Sequence, residues 1–385
     1  MNHGVYISEN ATGIIAPNES TAGLPVVIGT SPSGPLNEPQ LVHRYEEAVD
    51  IFGQSDNWET HTLNEFIYSQ FALYGQSPAV LIRVASNTPS AVIGGYDSST
   101  GKSAGLELVG KIFHQFGIVP GIILCPGQSQ NSEVAAVMRA KCDSLSGVFR
   151  CVCICDAEGT KYTDIPAKKN QVSSVNSQEI LCWPKVKLGD KTYHLSTHIC
   201  GVMTRADSQH DDVPYKSPSN EILQIDSCEN GIMLSLDEAN YLNAQGIVTA
   251  LNWTGGWRSW GNRTSIYPSA TDPKDSFIAV RRMFNFIGNT FINTLWQNVD
   301  EPMTVRVVRQ IVSSFNLWLN GLTARGMILG GYIEYRPDEN PKTALIDGKM
   351  KFHMYITPPV PAESIEGILE YDPANLETLI DAVNS

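Results

Sequence analysis

Pro25-Val26-Val27-Ile28-Gly29-Thr30 is a short apolar run that predicts a buried β-strand, and it opens a regular alternation of strands and helices. Helical spacing of apolar residues and closing glycines then predict further elements, with helices at 43–52, 63–73, 104–116 and 132–145 and strands at 79–84, 121–125 and 148–155. Such alternation is typical of a mainly parallel sheet covered by helices on both faces. This part of the chain is therefore predicted to be an α/β domain.

Composition restricts the function classes that need to be considered. The 385 residues carry a formal net charge of −13, with 42% hydrophobic and 17% charged residues, which are values of a globular protein. We expect neither a transmembrane helix nor a secretion signal, because no apolar run reaches the necessary length and the opening residues lack a basic-then-apolar pattern. The acidic balance argues against binding to duplex DNA.

The cysteines do not suggest a metal or disulfide framework. None of the eight is spaced as CxxC, and Cys151, Cys153 and Cys155 alternate, so that on a strand they would share one face. We expect small buried thiols in a reducing compartment.

The last third of the chain has a different pattern. Apolar residues at helical spacing predict two long amphipathic helices, over 277–295 and 308–322. Strands are predicted at 331–335 and 350–356, with a turn at Asp347-Gly348 between them, and the pair is expected to be antiparallel. The overall prediction is an α/β sandwich-type domain followed by a C-terminal α+β domain.

We divide the chain into four parts: an N-terminal arm at 1–22, an α/β domain at 23–247 that is loop-rich over 160–230, an α+β domain at 248–361, and a C-terminal arm at 362–385. The first arm has one short strand pattern, Val5-Tyr6-Ile7, and the second has another over 365–371. Neither has an adjacent hairpin partner. From Phe352 onward the chain contains no Lys or Arg, and its acids are Glu363, Glu366, Glu370, Asp372, Glu377 and Asp381.

Two enzymatic alternatives are considered. Gly95 to Ser103 resembles a phosphate loop before a helix, but five residues separate Gly95 from Gly101 where that loop has four. A P-loop-like NTPase is therefore kept as an alternative function. The simpler interpretation of this segment is a Gly/Ser turn that opens a helix. A metal-dependent hydrolase would use ligands from His194, His198, Cys200, His210, Asp211 and Asp212. Because residues 193–199 alternate like a strand, we expect solvated loop histidines instead.

A locally basic region lies inside this acidic chain. The region begins with Trp257-Arg-Ser-Trp-Gly-Asn-Arg263-Thr264 and continues into the long helix, to which we assign Lys274, Arg281 and Arg282. The next predicted helix contains Arg306, Arg309 and Arg325. These arginines could be ordinary solvated or ion-paired side chains. They could equally form a basic face that docks onto an acidic partner.

These residues resemble the contractile tail sheath proteins of phages with P2-like tails and of R-type bacteriocins. The resemblance covers most of the chain, except 160–215, and its most specific part is Trp260-Gly-Asn-Arg-Thr264 before a helix with paired arginines. It also includes His3-Gly4-Val5, Val26 to Gly29 with Ser33-Gly-Pro35, Pro126-Gly127, Ser217-Pro-Ser-Asn220, and 352–361.

The resemblance implies a non-enzymatic subunit without cofactors or bound metal. Subunits of this family stack as hexameric rings into a helical sheath around an inner tube, and they contract to drive the tube through a target cell envelope. It implies that both arms add strands to sheets of neighbouring subunits. The inter-subunit strands would contain Val5, Tyr6, Ile7, Ile365, Leu369 and Tyr371, and the receiving sheet Tyr332, Ile333, Phe352 and Met354.

The resemblance further implies that the C-terminal domain lies inward, with Lys274, Arg281 and Arg282 as candidates for contact with the tube. The expected partners are the chain itself, the tail tube protein, and the baseplate and tail terminator proteins, with no nucleic acid and no membrane insertion. Assembly is expected in the bacterial host cytoplasm, before the subunit becomes part of a phage tail or a released contractile particle.

Overall fold

The computed structural model describes residues 16–373. The strands are β1 Pro25–Gly29, β2 Gln40–Val42, β3 Ala79–Arg83, β4 Gly95–Asp97, β5 Lys102–Ala104, β6 Ile122–Leu124, β7 Val152–Asp156, β8 Glu179–Cys182, β9 Val186–Leu188, β10 Lys191–Tyr193, β11 Ser227–Cys228, β12 Ile247–Trp253, β13 Gly256–Trp260, β14 Gly330–Glu334 and β15 His353–Thr357.

The α-helices are α1 Tyr45–Phe52, α2 Thr62–Ile67, α3 Pro89–Ile93, α4 Ile112–Phe116, α5 Ser132–Asp143, α6 Ile165–Gln171, α7 Leu195–Ser208, α8 Leu236–Asn243, α9 Pro273–Ser276, α10 Ile278–Leu295, α11 Val305–Ala324 and α12 Lys342–Ile346. A π-helical segment, Tyr68–Leu73, continues α2, and a 3₁₀ segment, Gly105–Lys111, precedes α4. No helix within 16–373 is both long and apolar enough to cross a membrane.

An eight-stranded sheet organises the larger part of the chain. Its order is β13-β12-β8-β7-β6-β1-β3-β2, parallel except for the antiparallel edge strands β2 and β13. Val26 and Ile28 pack with α3 and α5 on one face of the sheet, whereas Val27 packs with α1, α2 and α7 on the opposite face. The predicted mixed α/β fold, with helices on both faces of a mainly parallel sheet, is confirmed.

Cys151, Cys153 and Cys155 point to the same face of this sheet, toward α5, as their alternation predicts. All eight cysteines are buried and none forms a disulfide. The predicted burial of these thiols is therefore confirmed.

Residues 160–230 differ from the expectation of an exposed, loop-rich region. They supply the buried strand β8 to the middle of the large sheet and the largely buried helix α7 against one of its faces. The large sheet also continues through Trp260, beyond the predicted boundary at 247, because β12 pairs with β8 and β13 pairs with β12.

A second core lies under α10, α11 and the β14–β15 hairpin. Met283 and Phe286 of α10 meet Phe315 and Leu319 of α11 there, and Ile333 of β14 closes the cluster. The two long helices and the antiparallel strand pair that the sequence predicts are all present.

Candidate assembly interfaces

The residues predicted to form a receiving sheet lie on or beside the β14–β15 hairpin. Tyr332 pairs with Tyr355, and Ile333 pairs with Met354. Ile333 is buried in the second core, against which Met354 and Phe352 also pack. Since side chains alternate across a strand, Tyr332 lies on the other face, where it is 49% exposed. One face of this small sheet therefore packs on the core under α10 and α11, and the other face is exposed to solvent.

The two edges of the hairpin differ. Asn316 of α11 covers the edge of β14, because its side-chain amide donates to the Ile333 carbonyl at 3.0 Å and accepts from the Ile333 N–H at 2.8 Å. The Ile333 backbone groups thus point away from β15, and those of its partner Met354, and of Ile356, point away from β14. Within 16–373, no third strand or other hydrogen bond occupies that side of β15. β15 presents an open edge that can accept another strand.

The solvent-facing side of the hairpin is held by stacked rings. The Tyr355 ring stacks on Tyr332 with centroids 4.6 Å apart, and on His353 at 4.5 Å. Arg336 donates to the Tyr355 hydroxyl at 3.3 Å, and the His353 ring bonds Glu339 at 2.9 Å. This packing orders the hairpin before any partner binds, so less conformational entropy is lost when a strand is added.

The C-terminal arm leaves the body with its apolar residues uncovered. Residues 358–373 form neither helix nor strand. Ile365 is 90% exposed and Leu369 is 99% exposed, and Tyr371 is also exposed. An apolar segment with a strand-forming pattern whose side chains are this exposed is a candidate for pairing with another chain.

An ion pair fixes the root of this arm. Arg263 donates to both carboxylate oxygens of Glu363, at 2.8 and 2.6 Å. The Arg263 guanidinium also lies over the rings of Phe277 and Tyr267, 3.6 and 4.5 Å from their centroids. A bidentate pair stacked on aromatic rings has a defined geometry. The arm is therefore anchored to the body at Glu363.

The end of the N-terminal arm is anchored on α10. The backbone N–H of Asn18 donates to the Thr294 hydroxyl at 2.9 Å, and that of Ser20 donates to the Thr290 hydroxyl at 3.0 Å. Because Thr290 and Thr294 are one helical turn apart, they bind an extended segment along the helix. The predicted strand residues Val5, Tyr6 and Ile7 lie outside the described residues.

Two of the predicted tube-contact residues, Arg281 and Arg282, are buried and ion-paired inside the subunit, so they do not form an exposed basic face. Arg282 is 3% exposed and forms a buried pair with Asp207, with one Nη1–Oδ1 distance of 3.0 Å. Arg281 binds Asp275 at 3.0 Å, and burial lowers the pKa of its guanidinium. Lys274 lies on the short helix α9, not on the long helix, and remains partly exposed.

The segment Gly95 to Ser103 does not form a phosphate loop. It is the β4–β5 hairpin, and Gly101 closes the turn rather than opening a helix. Asp97 accepts bonds from the hydroxyls of Ser99 and Thr100 and from the Ser99 N–H, which lowers its pKa to about 2. The Asp that ends β7, Asp156, binds Ser129 and caps α7 through Ser196. The NTPase alternative is not supported.

The residues considered as metal ligands are dispersed, and the predicted strand at 193–199 is mostly the start of helix α7. His194 binds Glu65 at 2.8 Å, and the fully buried His198 binds the Tyr74 hydroxyl at 2.9 Å. His210 instead meets the Ala206 carbonyl at 2.7 Å. Cys200 is buried in α7, and Asp211 pairs with Arg325, whereas Asp212 lies in the following turn. No group of three or more such ligands is assembled within 16–373.

Sequence reasoning missed the residues that define the hairpin edge and the arm root. Asn316 gives no signal, because an Asn on a helix face is ordinary until the strand beside it is known. Glu363 was counted only as one of the acids of the tail. An Arg that follows two Trp residues and an acid after a Pro-rich stretch could have suggested the Arg263–Glu363 pair.

The chain is similar along its whole length to named tail sheath proteins. It is 27% identical over 386 residues to a Pseudomonas aeruginosa protein described as a prophage major tail sheath protein, covering 94% of each chain. It is 24% identical over 412 residues to the tail sheath protein of Escherichia phage P2, covering 100% of this chain and 99% of the phage protein. No family model matches the chain.

Solved structures share the fold. The sheath of an extracellular contractile injection system, PVC, in its contracted state has a TM-score of 0.74 at 16% identity, covering 97% of this chain and 99% of that chain. A chain of the baseplate of the anti-feeding prophage has a TM-score of 0.73 at 18% identity, with 97% and 99% covered. The resemblance inferred from the sequence is thereby confirmed.

Proposed function

We propose that this chain, a relative of contractile tail sheath proteins, is a structural subunit that polymerises as stacked rings around an inner tube and contracts to drive the tube through a target cell envelope. The observation that carries the proposal is the coexistence of an exposed apolar arm with the open edge of β15. In this proposal, the arm of one copy of the chain is added to the β15 edge of a second copy, which satisfies both features.

Strand exchange fits the chemistry of the arm. In an extended conformation Ile365, Leu369 and Tyr371 share one face, and adding that strand to β15 would continue the apolar face formed by Met354 and Ile356. The Glu363 anchor sets where the arm departs, so that a neighbour at a fixed position can receive it. Both arms exchanged in this way would link rings into one mesh.

Contraction in this scheme uses energy stored in subunit packing and not nucleotide hydrolysis. The anchored roots keep the connections between subunits while the α/β bodies of successive rings change their contacts. Flexible links between rigid bodies permit such a rearrangement without refolding of the subunit. We accordingly assign the chain no enzymatic role and no cofactor.

The partners we propose are further copies of the chain in hexameric rings, a tail tube protein, and baseplate and terminator proteins. The C-terminal core would lie toward the tube. Of the candidates from sequence, Lys274 remains available for tube contact, whereas Arg281 and Arg282 are engaged internally. Assembly would take place in the bacterial host cytoplasm, and the subunit would then be part of a phage tail or a released contractile particle.

Electron microscopy of the purified protein, alone and with tail tubes, tests the proposal. We expect ribbed hollow cylinders. The matched control is the same protein truncated after Glu363, which keeps the arm root and should remain folded by circular dichroism but form no cylinders. Full-length protein that stays globular under both conditions would contradict the proposed function.

A further inference from the structure

An apolar groove lies at the end of the β14–β15 hairpin where strand β14 ends and strand β15 begins. Its volume is about 670 Å³, and its apolar lining comes from the start of α11, from α12 and from the segment before β15: Met303, Val305, Val308, Leu345, Ile346 and Met350. Ile346 is 83% exposed, and Val305 is also exposed. Nothing within 16–373 covers these side chains.

The charged residues of the groove are all basic. Among the described residues, Arg309 and Lys342 line it and no acidic side chain does. An occupant with apolar residues on one side and acids beside them would therefore match both the lining and the charge of the groove.

The sequence that follows the predicted arm strand at 365–371 has apolar residues at helical spacing with acids beside them. Leu376, Leu379, Ile380 and Val383 are spaced i, i+3, i+4 and i+7, a pattern typical of one face of an amphipathic helix. Glu377 and Asp381 are its only charged residues from 374 to 385. These residues lie outside the described part of the chain.

The direction of strand exchange connects this tail to the groove. An arm strand that pairs antiparallel with β15 runs from the Thr357 end toward the His353 end. The groove is located at that end, since Tyr335 follows β14 and Met350 precedes β15, and both line it. A tail that follows an exchanged strand would therefore emerge at the groove.

We propose that the groove binds residues 374–385 of a second copy of the chain, with Leu376, Leu379, Ile380 and Val383 on the apolar lining and Glu377 and Asp381 beside Arg309 and Lys342. This inference rests on the proposed function, because strand exchange brings the tail to the groove. It adds a second attachment beyond the exchanged strand, and this attachment uses side chains where the strand uses the backbone.

Mixed disulfide trapping tests the inference and identifies the source of the tail. Subunits carrying Ile346→Cys are mixed with subunits carrying Val383→Cys, allowed to assemble, and oxidised with copper phenanthroline. All eight native cysteines are buried, so they should not compete. We expect a disulfide-linked dimer from this mixture. The control mixture uses subunits carrying Met233→Cys in place of those carrying Ile346→Cys. Met233 is an exposed apolar position on the α/β body, so this mixture should give no disulfide-linked dimer.

A labelled peptide of residues 373–385 provides the second measurement, on subunits truncated after residue 373. Ile346→Glu should weaken peptide binding at least about tenfold, and Met233→Glu should not change it. Arg309→Glu should weaken binding of the native peptide, and a peptide with Glu377→Lys and Asp381→Lys should restore it.

The outcomes separate the two proposals. Cylinders that form without the trapped dimer, together with peptide binding insensitive to Ile346→Glu, would overturn the groove assignment and leave the sheath function intact. A disulfide that forms only within an Ile346→Cys/Val383→Cys double variant would overturn the assignment to a second copy. Failure of the parent protein to form cylinders would count against the sheath function and the inference together.

Discussion

The arginine pair of α10 has a structural role within one subunit. Arg282 binds Asp207 at the end of α7 and also donates to the Ala22 carbonyl at 3.1 Å. It therefore joins three parts of the chain: the α/β body, the second core and the N-terminal segment. Burial raises the pKa of the Asp207 carboxyl, and Arg282 opposes this by favouring the charged form.

Replacement of Arg282 by Met is expected to destabilise the subunit by about 3–5 kcal/mol, because the Asp207 carboxylate would remain buried without its partner. Chemical denaturation measures this loss. The double variant Arg282→Met/Asp207→Leu should be less destabilised than the single variant. The control Arg325→Met removes an exposed pair with Asp211 and should cost only about 0–1 kcal/mol. Equal stability of Arg282→Met and the parent protein would refute this role.

His198 should make the subunit less stable in acid. Burial lowers its pKa from 6.5 to about 3, so the folded state binds its proton less readily than the unfolded state. This contribution to stability is complete above pH 6.5 and falls with decreasing pH, by about 2 kcal/mol from pH 7 to pH 5. His194 acts in the opposite direction, since Glu65 raises its pKa although burial opposes this.

Unfolding at pH 7 and pH 5 isolates the effect of His198 when the parent is compared with His198→Gln. The decrease in stability between these pH values should be smaller by about 2 kcal/mol in the variant. An unchanged decrease would mean that His198 does not titrate as its burial requires. His194→Gln is the matched control and should not reduce the decrease.

Among the elements, the C-terminal arm and the β14–β15 hairpin are complementary. The hairpin is one strand pair with its inner face on the second core, and Asn316 covers the outer edge of β14. The free edge of β15 and the uncovered apolar residues of the arm are both unfavourable in an isolated subunit. The proposed strand exchange would remove both at once and would give polymerisation a physical driving force.

Replacement of Ile365 and Leu369 by Asp should prevent polymerisation without destabilising the subunit. Both side chains are almost fully exposed, so their loss removes no contact within the subunit. Two charges would then face the apolar inner side of a neighbour's hairpin, where they have no partner. Sedimentation velocity measures assembly and thermal unfolding measures stability. The control Glu366→Gln/Glu370→Gln changes the other strand face and should still assemble. Normal cylinders from the Asp variant would exclude the arm strand as a connector.

The whole molecule combines a sheet that is packed on both faces, a further core under α10 and α11, and separate anchors for the two arms. Asn18 and Ser20 fix the N-terminal segment on α10, and Arg263 fixes the C-terminal arm at Glu363. Both arm roots are thus tied to the body, while the predicted exchange segments lie beyond them. In the proposed sheath, the bodies can rearrange as rigid units while exchanged strands stay in place.

A subunit truncated after Glu363 should act as a chain terminator. It retains the β15 edge and can receive an arm, but it has no C-terminal arm to give. Mixing a small fraction of truncated subunits into the parent protein should shorten the cylinders seen by electron microscopy as the fraction increases. The control is a truncated subunit that also carries Met354→Pro. Pro lacks the N–H that Met354 directs outward, so the β15 edge should bind an incoming arm more weakly and the cylinders should be shortened less. Cylinder lengths independent of the truncated fraction would contradict arm exchange.

Local patterns of the sequence by themselves determined much of this protein. Strand and helix alternation after Pro25 predicted the α/β sheet, helical spacing predicted α10 and α11, and alternation in 350–356 predicted the hairpin and its apolar face. These predictions succeeded because each depends on one periodicity along a continuous segment. The same periodicity predicts that Ile365, Leu369 and Tyr371 form a strand, and this stays a prediction because residues 358–373 form neither helix nor strand within the subunit.

Only the tertiary structure decided what surrounds each residue. The alternation of 193–199 is that of a strand, but Asp156 caps α7 through Ser196 and the sheet buries the resulting helix on its apolar face. The sequence leaves open whether Arg281 and Arg282 are ion-paired or form a docking face, and the structure pairs them with Asp275 and Asp207. The edge of β15 and the groove next to it likewise arise from segments far apart in sequence. Burial, ion pairing and open edges are relations between distant segments, and a local pattern contains no information on which segments will meet.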